Sequence, residues 1–443
     1  MTVKKYTFKG GIHPDDSKGL TKDIPVKVLP APETVYIPLR QHIGALLEPC
    51  VKVGDYVKKG QIIGNSEAFV SVPVHATVSG TVKAIEPYYH PSGVKVPAVV
   101  IENDGQDTLS EDIKPVGEYY NLTPLQIIDA IRNAGIVGMG GAAFPTHVKL
   151  SPPKDKKIEY VIINGAECEP YLTSDHRVML ENTEEVIYGL KSIMHVFSLD
   201  KGYIAVENNK PDAIKALREA VKGDNSIEIC EMITKYPQGS EKQLINAITG
   251  RQVPSGGLPA DVGVVVNNID TCVAISRALR TGMPLMSRVV TVSGKGINNP
   301  ANFEVTIGTP FEEVAKAAGG IKENVRKVIM GGPMMGMTQY NLDTPVIKGT
   351  SGLLFLLDSE IFDEKEMPCT KCGKCVDACP MGLMPLYLMA YSRNENYDGL
   401  KNYHILDCME CGSCCYVCPS KKKIIQHIRV GKAKLQIKMR KEN

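Results

Sequence analysis

Nine of the 13 cysteines fall in two short runs near the end of the 443-residue chain. The first is Cys369-Thr-Lys-Cys372-Gly-Lys-Cys375-Val-Asp-Ala-Cys379-Pro380, the second Cys408-Met-Glu-Cys411-Gly-Ser-Cys414-Cys415-Tyr-Val-Cys418-Pro419. Both follow C-x2-C-x2-C-x3-C-P, the spacing of [4Fe–4S] ligation in which the fourth cysteine of each run serves the other cluster. Three thiolates two residues apart wrap one cubane from a tight turn, and the cysteine before proline points away from it. The spacing therefore predicts one cluster on Cys369, Cys372, Cys375 and Cys418, and a second on Cys408, Cys411, Cys414 and Cys379. Cys415 is surplus to the pattern. Zinc sites prefer paired cysteines with four ligands in all, and disulfides suit small secreted chains, so neither fits the repeat. The chemistry implied is single-electron transfer.

A second set of residues suits a phosphate or a flat ring. Gly138-Met139-Gly140-Gly141-Ala-Ala-Phe144-Pro145-Thr146-His147-Val148-Lys149 lets backbone amides approach a ligand closely and ends on a cation. Alone it reads equally well as a surface turn, and it is not the G-x-G-x-x-G fingerprint. Three companions strengthen it. Asn164-Gly-Ala166-Glu167-Cys-Glu169-Pro170 follows a short apolar run, Gly239-Ser240-Glu241 opens a helix, and Asn267-Asn268 follows a further apolar run. Ligands gather at the carboxyl ends of parallel strands and at helix N-termini.

The elements that position these residues divide the chain. Residues 1–112 show short strands and the turns Gly54-Asp-Tyr-Val57-Lys-Lys-Gly60 and Ser79-Gly80-Thr-Val82, like a lipoyl/biotinyl-type barrel-sandwich. The carrier position of such a hairpin falls on Phe69, and no lysine occurs from 61 to 82, so a structural module is expected rather than a swinging arm. Residues 113–286 alternate apolar runs at 160–163, 203–206 and 264–266 with helical stretches, the pattern of a doubly wound, Rossmann-like α/β domain. In its first helix Thr123-Pro124 makes the start, Leu125, Ile128 and Ile131 the apolar face and Gly135 the stop. Asp212–Val221 reads as a crossover helix, and Ser240 with Gln243 as the capping box of a helix ending near Gly250. Residues 287–338 read as a ββαβ, β-grasp-like unit whose helix is capped at Thr309-Pro310, followed by a stiff Gly331–Met337 loop with packing methionines. Residues 339–364 read as a connector containing one buried strand, 352–357, and 365–443 as an α-helical two-cluster domain with a basic tail. The fold class is thus multidomain α/β.

The set G-x-G-G-x-x-F-P-T-x-x-K, N-x-x-E-x-E-P, G-x-E and N-N resembles the FMN/NADH-binding subunit of respiratory complex I. The order of modules over nearly the full length resembles the C subunits of the Rnf ferredoxin:NAD+ oxidoreductases, with the soluble-ligand-binding (SLBB) version of the β-grasp. That resemblance implies FMN on Gly138, Gly140, Lys149, Asn164, Glu167, Glu241, Asn267 and Asn268, Phe144 stacked on nicotinamide, and Glu169 near the dinucleotide. It also implies a peripheral place on the cytoplasmic face of the cell membrane, among Rnf membrane subunits and a ferredoxin-type iron–sulfur subunit. Met139 stands where the complex I protein has Arg and Ala166 where it has Asp, which removes two polar contacts. The complex I protein also holds one cluster on another cysteine pattern. A flavin is the converter the two motif sets jointly require, because NAD(H) exchanges hydride whereas each cluster takes one electron. Hydride transfer itself needs no side-chain acid or base, so no catalytic residue is assigned.

Composition sets outer limits. A net charge of +2 and 23% charged residues argue against a nucleic-acid partner. No signal peptide opens the chain, no apolar run nears the roughly 18 residues of a spanning helix, and the four remaining cysteines are scattered, as in a reducing compartment. Residues 421–443 carry nine Lys or Arg against one acid, a solvated end or a contact for acidic lipid or an acidic partner protein. Two other functions share the modular order: a cobalamin reductase of diol-utilising microcompartments, and a non-enzymatic iron–sulfur wire with a vestigial nucleotide domain.

Overall fold

The computed structural model describes residues 5–361 and 364–442. At its centre is a four-stranded parallel sheet, in the order Ile227–Met232, Gly202–Glu207, Tyr160–Gly165, Val264–Asn268. Numbered along the chain this is 3-2-1-4, so the order reverses between Tyr160–Gly165 and Val264–Asn268. A crevice opens at such a reversal, outside the carboxyl ends of the strands. Alternation along the strands builds both faces of the sheet. Val161, Ile163, Ile204, Val206 and Val265 pack under the helices Pro124–Asn133, Thr183–Val196, Pro211–Ala220 and Ile269–Thr281. Ile162, Ala205, Cys230, Val264 and Val266 meet the helix Glu241–Thr249 on the other side.

The structure departs from the sequence pattern in several places. The strand Ile227–Met232 escapes a search for apolar runs, because Glu228 and Glu231 interrupt its apolar residues. Thr123 and Gln126 do form a reciprocal cap, but the helix they open buries Ile127 and Ile131, while Leu125 is 72% exposed. An i, i+4 pair faces the core better here than the three-residue spacing. Ser240 opens its helix and Gly250 closes it, yet no capping box forms: the Ser240 hydroxyl bonds Gln243 Oε1, and Gln243 Nε2 donates to Pro380 of another domain. Thr309 likewise leaves its hydroxyl unpaired and caps nothing.

The N-terminal module is a barrel-sandwich of a four-stranded and a three-stranded sheet around Val35, Ile37, Leu39, Val57, Ile63 and Val74. Its hairpin tip is tied down. His42 Nε2 accepts from Val72 N within the module, and His147 Nε2 lies 3.0 Å from the Phe69 carbonyl, so the loop that bears a swinging lysine in carriers is docked on the α/β domain.

The β-grasp sheet has six strands, ordered 26–28, 301–306, 287–293, 352–357, 325–330 and 337–339. The stretch 339–364 is therefore more than a connector, since Gly352–Leu357 lies inside this sheet with its first five residues buried. The last domain is helical, packed around Leu388, Leu400, Ile405, Ile424, Ile428 and Leu435. Much of the charge on the basic tail is answered within that domain: Arg429 and Lys432 by Glu410, Lys422 by Glu366 and Lys434 by Glu395. Among the described residues no helix is long and apolar enough to cross a membrane.

Candidate functional site

All four of the predicted motifs converge on the crevice. Asn164 and Asn268 are register partners on the two strands that flank it. The glycine loop closes over them as a hairpin held by Gly138 N to Phe144 O at 2.8 Å. Gly140 must be glycine for a steric reason, because a Cβ there would lie 2.8 Å from Asn268 Nδ2. Lys149 and Glu241, read separately from the sequence, meet here: Nζ is 2.9 Å from Glu241 Oε2 and 3.1 Å from the Val266 carbonyl. This pair is half-buried, so it joins the two walls of the crevice while remaining reachable.

The amides at the strand ends differ in their partners. Asn164 Nδ2 donates to Gly239 O at 2.8 Å and its Oδ1 accepts from Ala166 N, which pins the turn before the helix Glu241–Thr249. Asn268 caps the helix Ile269–Thr281 through Asp270 N and donates to Asp175 at 2.7 Å. Asn267 is only 2% exposed, and neither of its side-chain amide atoms has a hydrogen-bond partner among the described residues. Gln238, in the same turn as Gly239, is fully buried with both amide atoms unpaired. Leaving such a group unbonded costs about 1–3 kcal/mol. A bound ligand rich in donors and acceptors, as a flavin is, relieves that cost, and the residues present fit it.

Glu167 and Glu169 are taken up by neighbouring backbone. Glu167 accepts from Asp175 N at 2.7 Å and His176 N at 3.3 Å, capping the helix Ser174–Glu181. Glu169 accepts from Met334 N and Met335 N of the β-grasp loop, at 3.0 and 2.9 Å. Burial pushes its carboxyl up to about 7, against the opposing pull of those two amides. Phe144 lies half-buried at the end of the glycine loop.

Sequence reasoning missed the residues that hold this loop in shape. Lys18 is 4% exposed and donates to the carbonyls of Glu167, Glu169 and Leu172. Lys210, equally buried, donates to Ala166 O at 2.6 Å beside Glu207. Arg288, from the first strand of the β-grasp motif, reaches under the glycine loop to Asp270, Met139 Sδ and the Met139 carbonyl. Met139 is thus turned inward onto a guanidinium. Each is a single charged residue far from the loop in sequence, and no local pattern marks it.

The two cysteine runs have one backbone design. Lys371 and Glu410 are left-handed at φ 56° and 61°, and Gly373 and Gly412 at 80° and 78°. The fourth cysteines match too: Leu383 N donates to Cys379 Sγ and Lys422 N to Cys418 Sγ, at 3.3 and 3.4 Å. Cys379, Cys408, Cys411 and Cys414 line one small, largely apolar cavity. The donor set and its apolar surroundings suit an iron–sulfur cluster. Cys369 and Cys372 are exposed. Cys415 turns its sulfur to Ile425 N and Gln426.

Comparison with known proteins agrees module by module. Family models match as the RnfC barrel sandwich hybrid domain over 6–106, the Nuo51 FMN-binding domain over 131–277, the SLBB domain over 289–338 and the 4Fe–4S dicluster domain over 368–422. The chain is 51% identical over 428 residues to the C subunit of the proton-translocating ferredoxin:NAD(+) oxidoreductase complex of Clostridium ljungdahlii, covering 96% of this chain and 93% of that one. It is 50% identical over 443 residues to the C subunit of the Na(+)-translocating ferredoxin:NAD(+) oxidoreductase complex of Acetobacterium woodii, with both chains covered in full. The C subunit of the ion-translocating oxidoreductase complex of Rhodobacter capsulatus is 42% identical over 400 residues, 90% of this chain and 77% of its own. With identity of this order along its whole length, the chain belongs to the C-subunit family of the ion-translocating ferredoxin:NAD(+) oxidoreductases.

Proposed function

We propose that this chain exchanges electrons between NAD(H) and two [4Fe–4S] clusters through FMN, as the peripheral nucleotide-side member of an ion-translocating complex. The observation that carries the reading is one turn, Tyr236–Ser240, which has the crevice on one side and the cysteine-lined cavity on the other. Gly239 O holds Asn164 of the crevice, while the Tyr236 hydroxyl reaches the Cys411 carbonyl at 2.8 Å. Bound FMN would supply the conversion between a hydride and single electrons.

The chain's own residues do the rest. Gly138 and Gly140 offer backbone for close approach, and Lys149 the nearby cation. Asn267 supplies unpaired amide atoms, while Asn164, Glu241 and Asn268 shape and line the walls. Glu167 fixes the loop behind them. Phe144 is the ring for the nicotinamide, and Glu169 lies on the dinucleotide side. No side chain has to move a proton for the hydride step.

Exposed Cys369 and Cys372, with Lys371 and Lys374 between and beside them, form the face for a ferredoxin-type iron–sulfur partner. Membrane subunits would carry the coupled ion, with this chain on the cytoplasmic face. The relatives' names favour this over a cobalamin reductase, and the unpaired amides favour a working crevice over a bare wire. The test is to mix reconstituted protein with NADH under anaerobic conditions and follow flavin bleaching and reduced-cluster EPR signals. Both should appear; a flavin that stays oxidised would overturn the reading.

A further inference from the structure

The cluster-bearing domain is seated on the flavin-type domain by a joint with two arms. Tyr236 is 1% exposed, and its phenol donates to the backbone carbonyl of Cys411 at 2.8 Å. The backbone of the same residue exchanges two hydrogen bonds with Ile12, at 2.8 and 2.9 Å. One residue earlier, Gly11 N donates to Ala378 O at 3.0 Å, beside Cys379. The N-terminal segment is thus threaded between the two domains.

Its Gly10-Gly11 pair is left-handed, at φ 83° and 80°. A Cβ on Gly10 would lie 2.8 Å from Cys379 O, and one on Gly11 2.7 Å from Tyr236 O. Both sides of the buried cavity, at Cys379 and at Cys411, therefore rest on Tyr236. Gln243 adds a third tie to Pro380 O at 2.9 Å, and Met334 packs beside Gly412. Ile12, Tyr236, Ala378 and Cys411 form a dry cluster of their own around the joint.

We infer that Tyr236 is a positioning residue for electron transfer, its hydroxyl holding the Cys411 loop at a fixed separation from the turn that borders the flavin crevice. The inference rests on the electron-transfer reading above. Electron tunnelling falls steeply with distance, and a carbonyl that loses a buried partner will shift to find another. Per NADH oxidised, two electrons and one proton are released, and each of the two oxidised clusters is reduced by one electron across this joint.

The test uses the full reconstituted chain as Tyr236→Phe, with Gly11→Ala as a second variant that disturbs the other arm. Tyr236→Phe should keep its flavin, about eight irons and the wild-type rate of flavin bleaching by NADH. Cluster reduction should slow roughly tenfold, an effective barrier increase of about 1.4 kcal/mol, as the Cys411 loop shifts away from the turn. A dithionite titration, which needs no NADH, should show one of the two clusters shifted in potential and EPR line shape, and the other unchanged. Gly11→Ala should shift the same cluster. Wild-type cluster kinetics and an unshifted titration in Tyr236→Phe would overturn the inference, as would loss of iron with no selective shift. If NADH fails to bleach the wild-type flavin, the functional reading fails, while the dithionite titration still decides the role of Tyr236.

Discussion

The two cysteine runs share spacing and backbone angles, yet sit in opposite surroundings. In the second run Cys411 and Cys414 are buried, joined by Cys379 and Cys408 in one apolar cavity. In the first, Cys369 and Cys372 face solvent on a loop with Lys371 and Lys374. Ligation is a local property, set by residues two or three apart. Direction is not local: it arises because Tyr236 and Met334 hold the Cys411–Gly412 loop while Gly11 and Gln243 hold Ala378 and Pro380 on either side of Cys379, which leaves Cys369 and Cys372 open. Clusters held on the two runs would thereby form an ordered pair, the inner one beside the turn that borders the crevice and the outer one at the surface.

The largest expected effect breaks that order outright. Cys379→Ser should lose about half the iron and spare the cluster on Cys369, Cys372, Cys375 and Cys418, although Cys379 adjoins that run in sequence. Iron analysis with EPR checks this, and loss of the outer cluster instead would reverse the pairing.

The wall of the crevice can be broken without touching a cysteine. Arg288→Met leaves Asp270 without its guanidinium beneath the glycine loop, and removing one partner of a buried pair costs about 3–5 kcal/mol. Urea unfolding should show a loss of that size, with reduced flavin retention in the folded fraction.

A pH effect follows from Glu169, which holds the loop that packs on Gly412. Its folded pKa, about 7, exceeds the ordinary carboxylate value of 4.5, so the folded state binds more protons than the unfolded state between those values. Stability should therefore fall as pH rises from about 4.5 through 7, by up to roughly 3 kcal/mol. Thermal melts of Glu169→Gln should lack that slope, and a parallel slope in both proteins would remove Glu169 from the joint.

The smallest change is at the outer edge of the crevice. Phe144→Ala should raise KM for NADH about fivefold while flavin stays bound, since one aromatic stack is worth about 1 kcal/mol.

How much of this is legible follows from range along the chain. The cluster ligands, the glycine loop and the strand-end asparagines sit in short motifs and can be read directly. Lys149 and Glu241 are each readable, but their pairing across 92 residues is not. Tyr236, Gln238, Lys18, Lys210 and Arg288 carry no motif; a buried lysine or arginine looks like a solvated one until the fold surrounds it. Ser240 and Gln243 show the reverse, a sound local pattern whose glutamine is claimed by Pro380 of a distant domain. Glu167 and Glu169 belong to a readable motif, yet which backbone amides they hold depends on the packing of the helix Ser174–Glu181 and the β-grasp loop.

The central claim is that electrons from the flavin crevice reach the outer cluster only through the inner one. The direct measurement is the rate at which NADH reduces the surviving outer cluster in Cys379→Ser, with dithionite reduction confirming that this cluster is intact. Flavin should still bleach at the wild-type rate while outer-cluster reduction by NADH falls by at least about a hundredfold, a barrier increase near 3 kcal/mol. An outer cluster that NADH reduces at the wild-type rate in this variant would contradict it.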